Sequence, residues 1–97
     1  MNAILAPCHP GEVLSVLYLE PLAMSAGALA KKLDLPRTRI ERLVKEQTSM
    51  TPDTALRLAR FFNTSALYWL NMQTSYDLVK ARKELDVSHI PVLDAVG

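Results

Sequence analysis

Apolar residues recur along most of the chain at the three- and four-residue spacing of an amphipathic helix. The full pattern appears twice: at Ala26, Leu29, Ala30 and Leu33, and again at Ala55, Leu58, Ala59 and Phe62. This spacing places apolar side chains on one helical face. No stretch before the C-terminal tail shows the sustained apolar–polar alternation of a strand. The pattern therefore predicts an all-α fold.

Prolines and small polar residues predict where these helices begin and end. Pro10 suits a first helical position, where its missing N–H costs nothing, and Glu20-Pro21 is expected to end that helix at about Leu19. Ser25 and Thr51 are candidate N-caps, whose hydroxyls accept an orphan backbone N–H. The five predicted helices cover about residues 10–19, 25–33, 36–46, 51–62 and 65–85.

The last helix carries two apolar stripes, whereas a helix on the surface of a monomer needs only one. Leu67, Leu70 and Leu78 form one stripe, and Trp69, Met72, Tyr76 and Val79 form the other. One stripe can cover the core, and a second subunit is the simplest cover for the other. We therefore predict a dimer interface at Trp69, Met72, Tyr76 and Val79. The tail beside it is a candidate addition.

Residues 25–46 have the pattern of a helix-turn-helix, with two short helices joined by about three residues. The second helix has one apolar face and one face of basic and hydroxyl side chains, as a helix in the major groove of DNA requires. Charge supports this interpretation. The chain has net charge +1, yet residues 31–60 carry net charge +4 and the remainder −3. A solvated helix face remains the alternative.

The composition limits the other possibilities. The chain has 97 residues, 49% of them hydrophobic, which is the size of one small domain with a compact core. A single cysteine, Cys8, excludes an internal disulfide and favours a cytoplasmic protein. No apolar run is long enough to span a membrane, and residues 1–6 lack the basic region of a signal peptide.

Candidate catalytic and metal sites are weak. Cys8 and His9 lack closing ligands for a zinc site, and adjacent residues rarely act as nucleophile and base. We interpret His9-Pro10 as the start of a helix, and we expect no metal, cofactor or catalytic residue. The aromatic side chains at 68, 69 and 76 are spaced as core or interface residues rather than as a surface that stacks on bases.

Several blocks in order resemble the HigA/VapI antitoxins, which belong to the phage-repressor-like (XRE) helix-turn-helix proteins. The resemblance covers about residues 9 to 85, and residues 1–8 and 86–97 are left as an N-terminal segment and a tail. Its blocks are His9-Pro10-Gly11-Glu12, Leu19-Glu20-Pro21-Leu22, Leu29-Ala30-Lys31-Lys32-Leu33, Ile40-Glu41-Arg42-Leu43, the run Met50 to Ala59, and Tyr68-Trp69-Leu70-Asn71-Met72-Gln73.

The resemblance implies a lambda-repressor-like domain in a dimeric antitoxin. Such proteins neutralise a RelE-like ribonuclease toxin and repress their own operon at a palindromic operator. By this resemblance the base-reading residues are Arg37, Thr38 and Arg42. The residues expected to contact the DNA backbone are Arg39, Lys45, Thr48 and Ser49.

Two positions depart from the family pattern. Ala26 stands where these repressors usually have a glutamine that holds a phosphate, and the loop Gln47-Thr48-Ser49 lacks the usual glycine. Two alternatives therefore stay open. One is a stand-alone helix-turn-helix regulator without a toxin, and the other is a protein-interaction module that has lost DNA binding.

Overall fold

The computed structural model describes residues 7–94. Within that range the chain folds into five helices and no strand, which confirms the predicted all-α class. The helices are α1 (Pro10–Leu22), α2 (Ala26–Leu33), α3 (Arg37–Val44), α4 (Pro52–Phe62) and α5 (Ala66–Glu84). Residues 1–6, where we looked for a signal peptide, lie outside the described residues, as do positions 95–97 of the predicted tail.

The first helix does not stop at Leu19, as the sequence pattern predicted, but continues to Leu22. A proline inside a helix has no N–H to donate, and its ring clashes with the carbonyl four residues earlier. Residues Leu14–Leu19 form a π-helical segment, in which the N–H of Glu20 donates to the carbonyl of Ser15. This wider turn admits Pro21 without breaking the helix.

Side-chain caps begin α2, α4 and α5 where the sequence predicted these helices to start. The hydroxyls of Ser25, Thr51 and Ser65 each accept the backbone N–H of the third residue that follows. At the start of α1, the imidazole Nδ1 of His9 accepts the N–H of Gly11 at 2.9 Å. His9 is buried, and its ring packs against the edge of Tyr76 with centroids 5.1 Å apart. The predicted role of His9 at the helix start is therefore confirmed.

The core forms where α1, α2, α3 and α4 close over the first half of α5. Its fully buried large side chains are Trp69, Leu14, Leu29, Ile40 and Leu58. The indole N–H of Trp69 donates to the hydroxyl of Thr64 at 2.9 Å, and its ring contacts those of Tyr18 and Tyr68. Every polar group of the indole is thus satisfied inside the domain.

This position of Trp69 corrects the predicted dimer interface. Trp69 is 0% exposed, so it has no surface to offer a second subunit. The other predicted interface residues, Met72, Tyr76 and Val79, are half-buried, while Leu67 and Leu78 of the other stripe are exposed. The reason is that α5 packs on α1 and α4 through its widest aromatic side chain, and that side chain fills the space between the three helices.

A tyrosine pair joins α1 to α5 at the edge of this core. The hydroxyl of Tyr18 donates to that of Tyr68 at 3.0 Å. Burial, followed by this hydrogen bond, raises the pKa of Tyr18 to about 12. Tyr18 therefore stays neutral and keeps its donor at any physiological pH.

No single helix among residues 7–94 is both long and apolar enough to cross a membrane. Taken together, α1 and α2 reach the length and composition of a span, but they are bent by 97° at the break between them. Their apolar side chains at Leu14, Leu19, Leu29 and Leu33 are buried in the core of the domain.

The two helical glycines allow a matched test of the packing. A Cβ at Gly11 would overlap the backbone carbonyl of Leu43, whereas one at Gly27 would meet the flexible Cδ of Arg37 at 2.7 Å. We expect Gly11→Ala to lower the free energy of unfolding by about 2–3 kcal/mol, because backbone cannot move aside cheaply. Gly27→Ala should change it by less than about 1 kcal/mol, since alanine favours the helix. Urea denaturation measures both, and equal effects would contradict the packing described.

Candidate nucleic-acid interface

The helices α2 and α3 form a helix-turn-helix whose turn is the three residues 34–36. Asp34 adopts the left-handed conformation with φ of 59°, and the N–H of Leu35 donates to the carbonyl of Ala30 at 2.9 Å. Pro36 then restarts the chain in an extended conformation. The inner face of α3 buries Ile40 and Leu43. Its outer face is consequently presented to solvent at a fixed angle.

Five of the seven predicted DNA-contacting residues line one groove of about 620 Å³ between α3, the following loop and the start of α4. They are Thr38, Arg39, Arg42, Thr48 and Ser49. All five are exposed. The two arginines and three hydroxyls on this open surface can donate hydrogen bonds to phosphate oxygens and to base edges.

The loop after α3 is held in place although it lacks a glycine. Glu46 takes the left-handed conformation with φ of 61°, and the N–H of Gln47 donates to the carbonyl of Arg42 at 2.9 Å. Met50 is buried, and its N–H donates to the side-chain oxygen of Gln73 at 2.7 Å. The missing glycine therefore does not prevent the loop from turning, and α5 fixes its far end.

The other two predicted residues lie outside this groove. Arg37 is on the opposite side of the first turn of α3, where its stem packs over Gly27 and its Nε lies 3.2 Å from the carboxylate of Glu41. Its side chain is 72% exposed. Lys45 is the exposed C-cap residue of α3. The absence of a side chain at Gly27 leaves room for the stem of Arg37.

An ion-pair network behind the groove was missed by the sequence reasoning. Asp53, in the first turn of α4, accepts from Arg39 at 2.6 Å and from Arg57 at 3.2 Å. Arg57 also donates to the backbone carbonyls of Leu33 at 2.8 Å and Asp34 at 3.3 Å, so it caps α2. The network connects α2, α3 and α4. The spacing of Asp53 and Arg57, four residues apart on a helix, was the available signal.

The network also sets the charge of the surface. The hydrogen bonds from Arg57 and Arg39 lower the pKa of Asp53, so this carboxylate stays ionised at neutral pH. It holds Arg39 in the absence of DNA and adds one negative charge beside the groove. The side chains involved are roughly half exposed, so the ion pairs direct the orientation of Arg39 more than they stabilise the fold.

The predicted interface residues of α5 do not share one surface. Met72 and Val79 line a groove of about 770 Å³ between the start of α1 and α5, which we name the α1–α5 groove. Pro7, Cys8, Val13, Tyr68, Leu78 and Arg82 also line it. Tyr76 instead packs on His9, and Trp69 is in the core. The open apolar surface of α5 is therefore centred on Leu78 and Val79.

The described residues contain no group of three or more His, Cys, Asp or Glu side chains that could hold a metal ion. Burial, with the carboxylates of Glu12 and Glu46, raises the pKa of the Cys8 thiol. A nucleophilic cysteine shows the opposite shift.

Comparisons with known proteins agree with this geometry. Residues 17–69 match the helix-turn-helix family HTH_3, which is more than half of the chain. The chain belongs to this family. Its members are non-enzymatic DNA-binding proteins, and the similarity places the chain among the HigA- and VapI-type antitoxins that its sequence resembles.

Individual relatives are similar over most of the chain. The virulence-associated protein I of Dichelobacter nodosus is 53% identical over 78% of this chain and 70% of its own length. An uncharacterised HTH-type transcriptional regulator of Escherichia coli K12 is 38% identical over 74% of this chain and 64% of its own length. The structure of the Pseudomonas aeruginosa antitoxin HigA with the higBA promoter superposes with a TM-score of 0.81 at 35% identity, and covers 90% of this chain and 99% of that one.

The charge balance around Asp53 gives a prediction for DNA affinity. Asp53→Asn removes a negative charge and releases Arg39, so we expect several-fold tighter binding to an unrelated duplex. The slope of log K against log salt should steepen by about 0.9, the value for one added phosphate contact. Asp34→Asn is the matched control, because it removes the same charge from an exposed turn without releasing an arginine. Identical salt slopes for both variants would contradict this role of Asp53.

Proposed function

We propose that this protein is an operator-binding antitoxin that represses its own operon and neutralises a RelE-like ribonuclease toxin. The observation that carries the DNA-binding part is the groove that brings Thr38, Arg39, Arg42, Thr48 and Ser49 together beside the exposed face of α3. The net charge of +4 on residues 31–60 supports the same surface. Such a protein acts in the bacterial cytoplasm, at the chromosome or a plasmid.

In this proposal α3 enters the major groove with its first turn toward the base edges. Arg37, Thr38 and Arg42 read bases, since an arginine can donate twice to guanine and a threonine can bond a base edge or contact a thymine methyl group. Arg39, Lys45, Thr48 and Ser49 contact the backbone. Arg39 exchanges the carboxylate of Asp53 for a phosphate, so specific binding replaces one ion pair by another.

A homodimer is the second part of the proposal. Two copies related by a two-fold axis would place their α3 helices about 34 Å apart, one turn of DNA, on a palindromic operator. Exposed Leu78 and half-buried Met72 and Val79 supply an apolar surface on α5 for the second copy. A small domain gains stability from burying such a surface.

The antitoxin part is supported by relatives. The antitoxin HigA-1 of Vibrio cholerae is 32% identical over 78% of this chain and 71% of its own length. The solved HigA is named as an antitoxin, and its structure includes the higBA promoter. A stand-alone regulator is the second candidate, favoured by the similarity to the E. coli transcriptional regulator. A module that binds only protein is the third, and the alanine at position 26 favours it.

Two substitutions on α3 test the DNA-binding role. Arg42→Ala should cost about 1–3 kcal/mol of binding free energy and relax specificity at one operator position. Lys45→Ala should weaken binding to all sequences alike. It should also reduce the slope of log K against log salt by about 0.9, the value for one phosphate contact. Lys80→Ala on exposed α5 is the charge-matched control. Gel shifts with the DNA upstream of the gene measure all three. If Arg42 and Lys45 variants bind as the control does, this surface is not the DNA interface.

Co-expression tests the antitoxin role. The neighbouring reading frame, where it encodes a small basic protein, should arrest growth when expressed alone. Growth should recover when this protein is expressed with it, and the two should co-purify. Arg42→Ala tests whether the two roles are separate: growth rescue that persists in this variant places toxin binding away from α3, and lost rescue places it on α3. A neighbour that does not arrest growth alone would favour the stand-alone regulator as the function. So would a toxin whose growth arrest this protein does not relieve.

A further inference from the structure

We propose that the C-terminal tail of one subunit, residues 90–93, docks in the α1–α5 groove of a second copy and straps the two subunits together. This inference rests on the proposed homodimer and identifies a contact between its two subunits. It assigns a binding role to two features that the DNA-binding surface does not use. One is an open apolar groove, and the other is an exposed apolar segment of the same chain.

The groove is an apolar site between the start of α1 and α5. Its floor is formed by half-buried side chains, among them Met72 and Val79 of α5 and Cys8 before α1. Tyr68 and Leu78 stand exposed at its rim. Along α5 it extends from Tyr68 to Arg82, which is about 21 Å of helix. A volume of about 770 Å³ accepts several apolar side chains.

The tail has the properties of a ligand for this groove. Ile90-Pro91-Val92-Leu93 follows a turn in which the N–H of Ile90 donates to the carbonyl of Val87 at 3.0 Å. Val92 is 95% exposed and Leu93 83%, the two highest values among the large apolar residues of the described chain. The residues after the turn carry no helix or strand. An apolar extended segment of this kind is normally covered by a partner.

The charged residues and the length of the tail are compatible with docking between two copies. Asp94 follows the apolar segment, and Arg82 is the charged side chain among the residues that line the groove. Residues 85–94 extend to about 30 Å, which exceeds the length of the groove. Among residues 7–94 of one chain, Val92 and Leu93 are exposed and the groove is open. We therefore infer that the tail of a second copy occupies the groove.

The one native cysteine lies in the groove and makes a direct test possible. A variant with Cys8→Ala and Val92→Cys is mixed with the tagged wild-type chain, so that a disulfide between the two tags can join only Cys8 of one copy to the tail of the other. Mild oxidation should give the mixed-tag dimer in high yield. Leu56→Cys with Cys8→Ala is the control, because Leu56 is also exposed but lies on α4. It should give only background cross-linking.

Sedimentation separates this proposal from the homodimer itself. Val92→Asp with Leu93→Asp should raise the dimer dissociation constant about tenfold or more, whereas Leu56→Asp should leave it unchanged. If the wild-type chain dimerises but neither mixed cross-link nor weakened dimer is seen, the tail is not the strap and the dimer stands. A disulfide of Cys8 with Val92→Cys within one chain would show docking in cis and would overturn the proposal. A wild-type chain that is monomeric on its operator would overturn both.

Discussion

The burial of one face of α3 determines the functional surface of this protein. Ile40 and Leu43 are held in the core, and the carbonyl of Leu43 lies against Gly11 of α1. Because these contacts fix both the rotation and the depth of a two-turn helix, the opposite face of α3 always points to solvent. That face carries arginine and threonine side chains. A larger residue at position 11 would move α3 and every group on it.

Ion pairs then orient the exposed side chains of the helices that packing has positioned. The network from the end of α2 through Arg57 and Asp53 to Arg39 holds three helices at their exposed edge. A carboxylate beside a DNA-binding surface lowers general affinity for phosphate. It also keeps the side chain of Arg39 oriented. The net charge of +1 conceals this arrangement, since the basic segment is balanced by acidic residues elsewhere.

Much of the fold could be predicted because its signals are local. N-caps such as Ser25 and Thr51 act within three residues, and the spacing of apolar positions identifies a helix without knowledge of its neighbours. The end of α1 could not be predicted, because a π-helical turn around Pro21 depends on how the whole helix packs. The choice between the two stripes of α5 depends on shape across three helices, and only the structure shows that Trp69 fills the core. The same limit applied to the site: the spacing of apolar positions predicted the exposed basic face of α3, but the partner of Arg39 lies 14 residues away on another helix.

The central claim is that α3 and the loop after it form the DNA-binding surface, while α5 serves protein contacts. Chemical-shift mapping of the labelled protein with the duplex upstream of its gene tests this claim most directly, with a scrambled duplex as the reference. We expect the operator-specific shift changes to concentrate in residues 37–49 and the start of α4, and residues 78–84 of α5 to shift little. Specific changes centred on α5 or on the α1–α5 groove, with 37–49 unaffected, would contradict it.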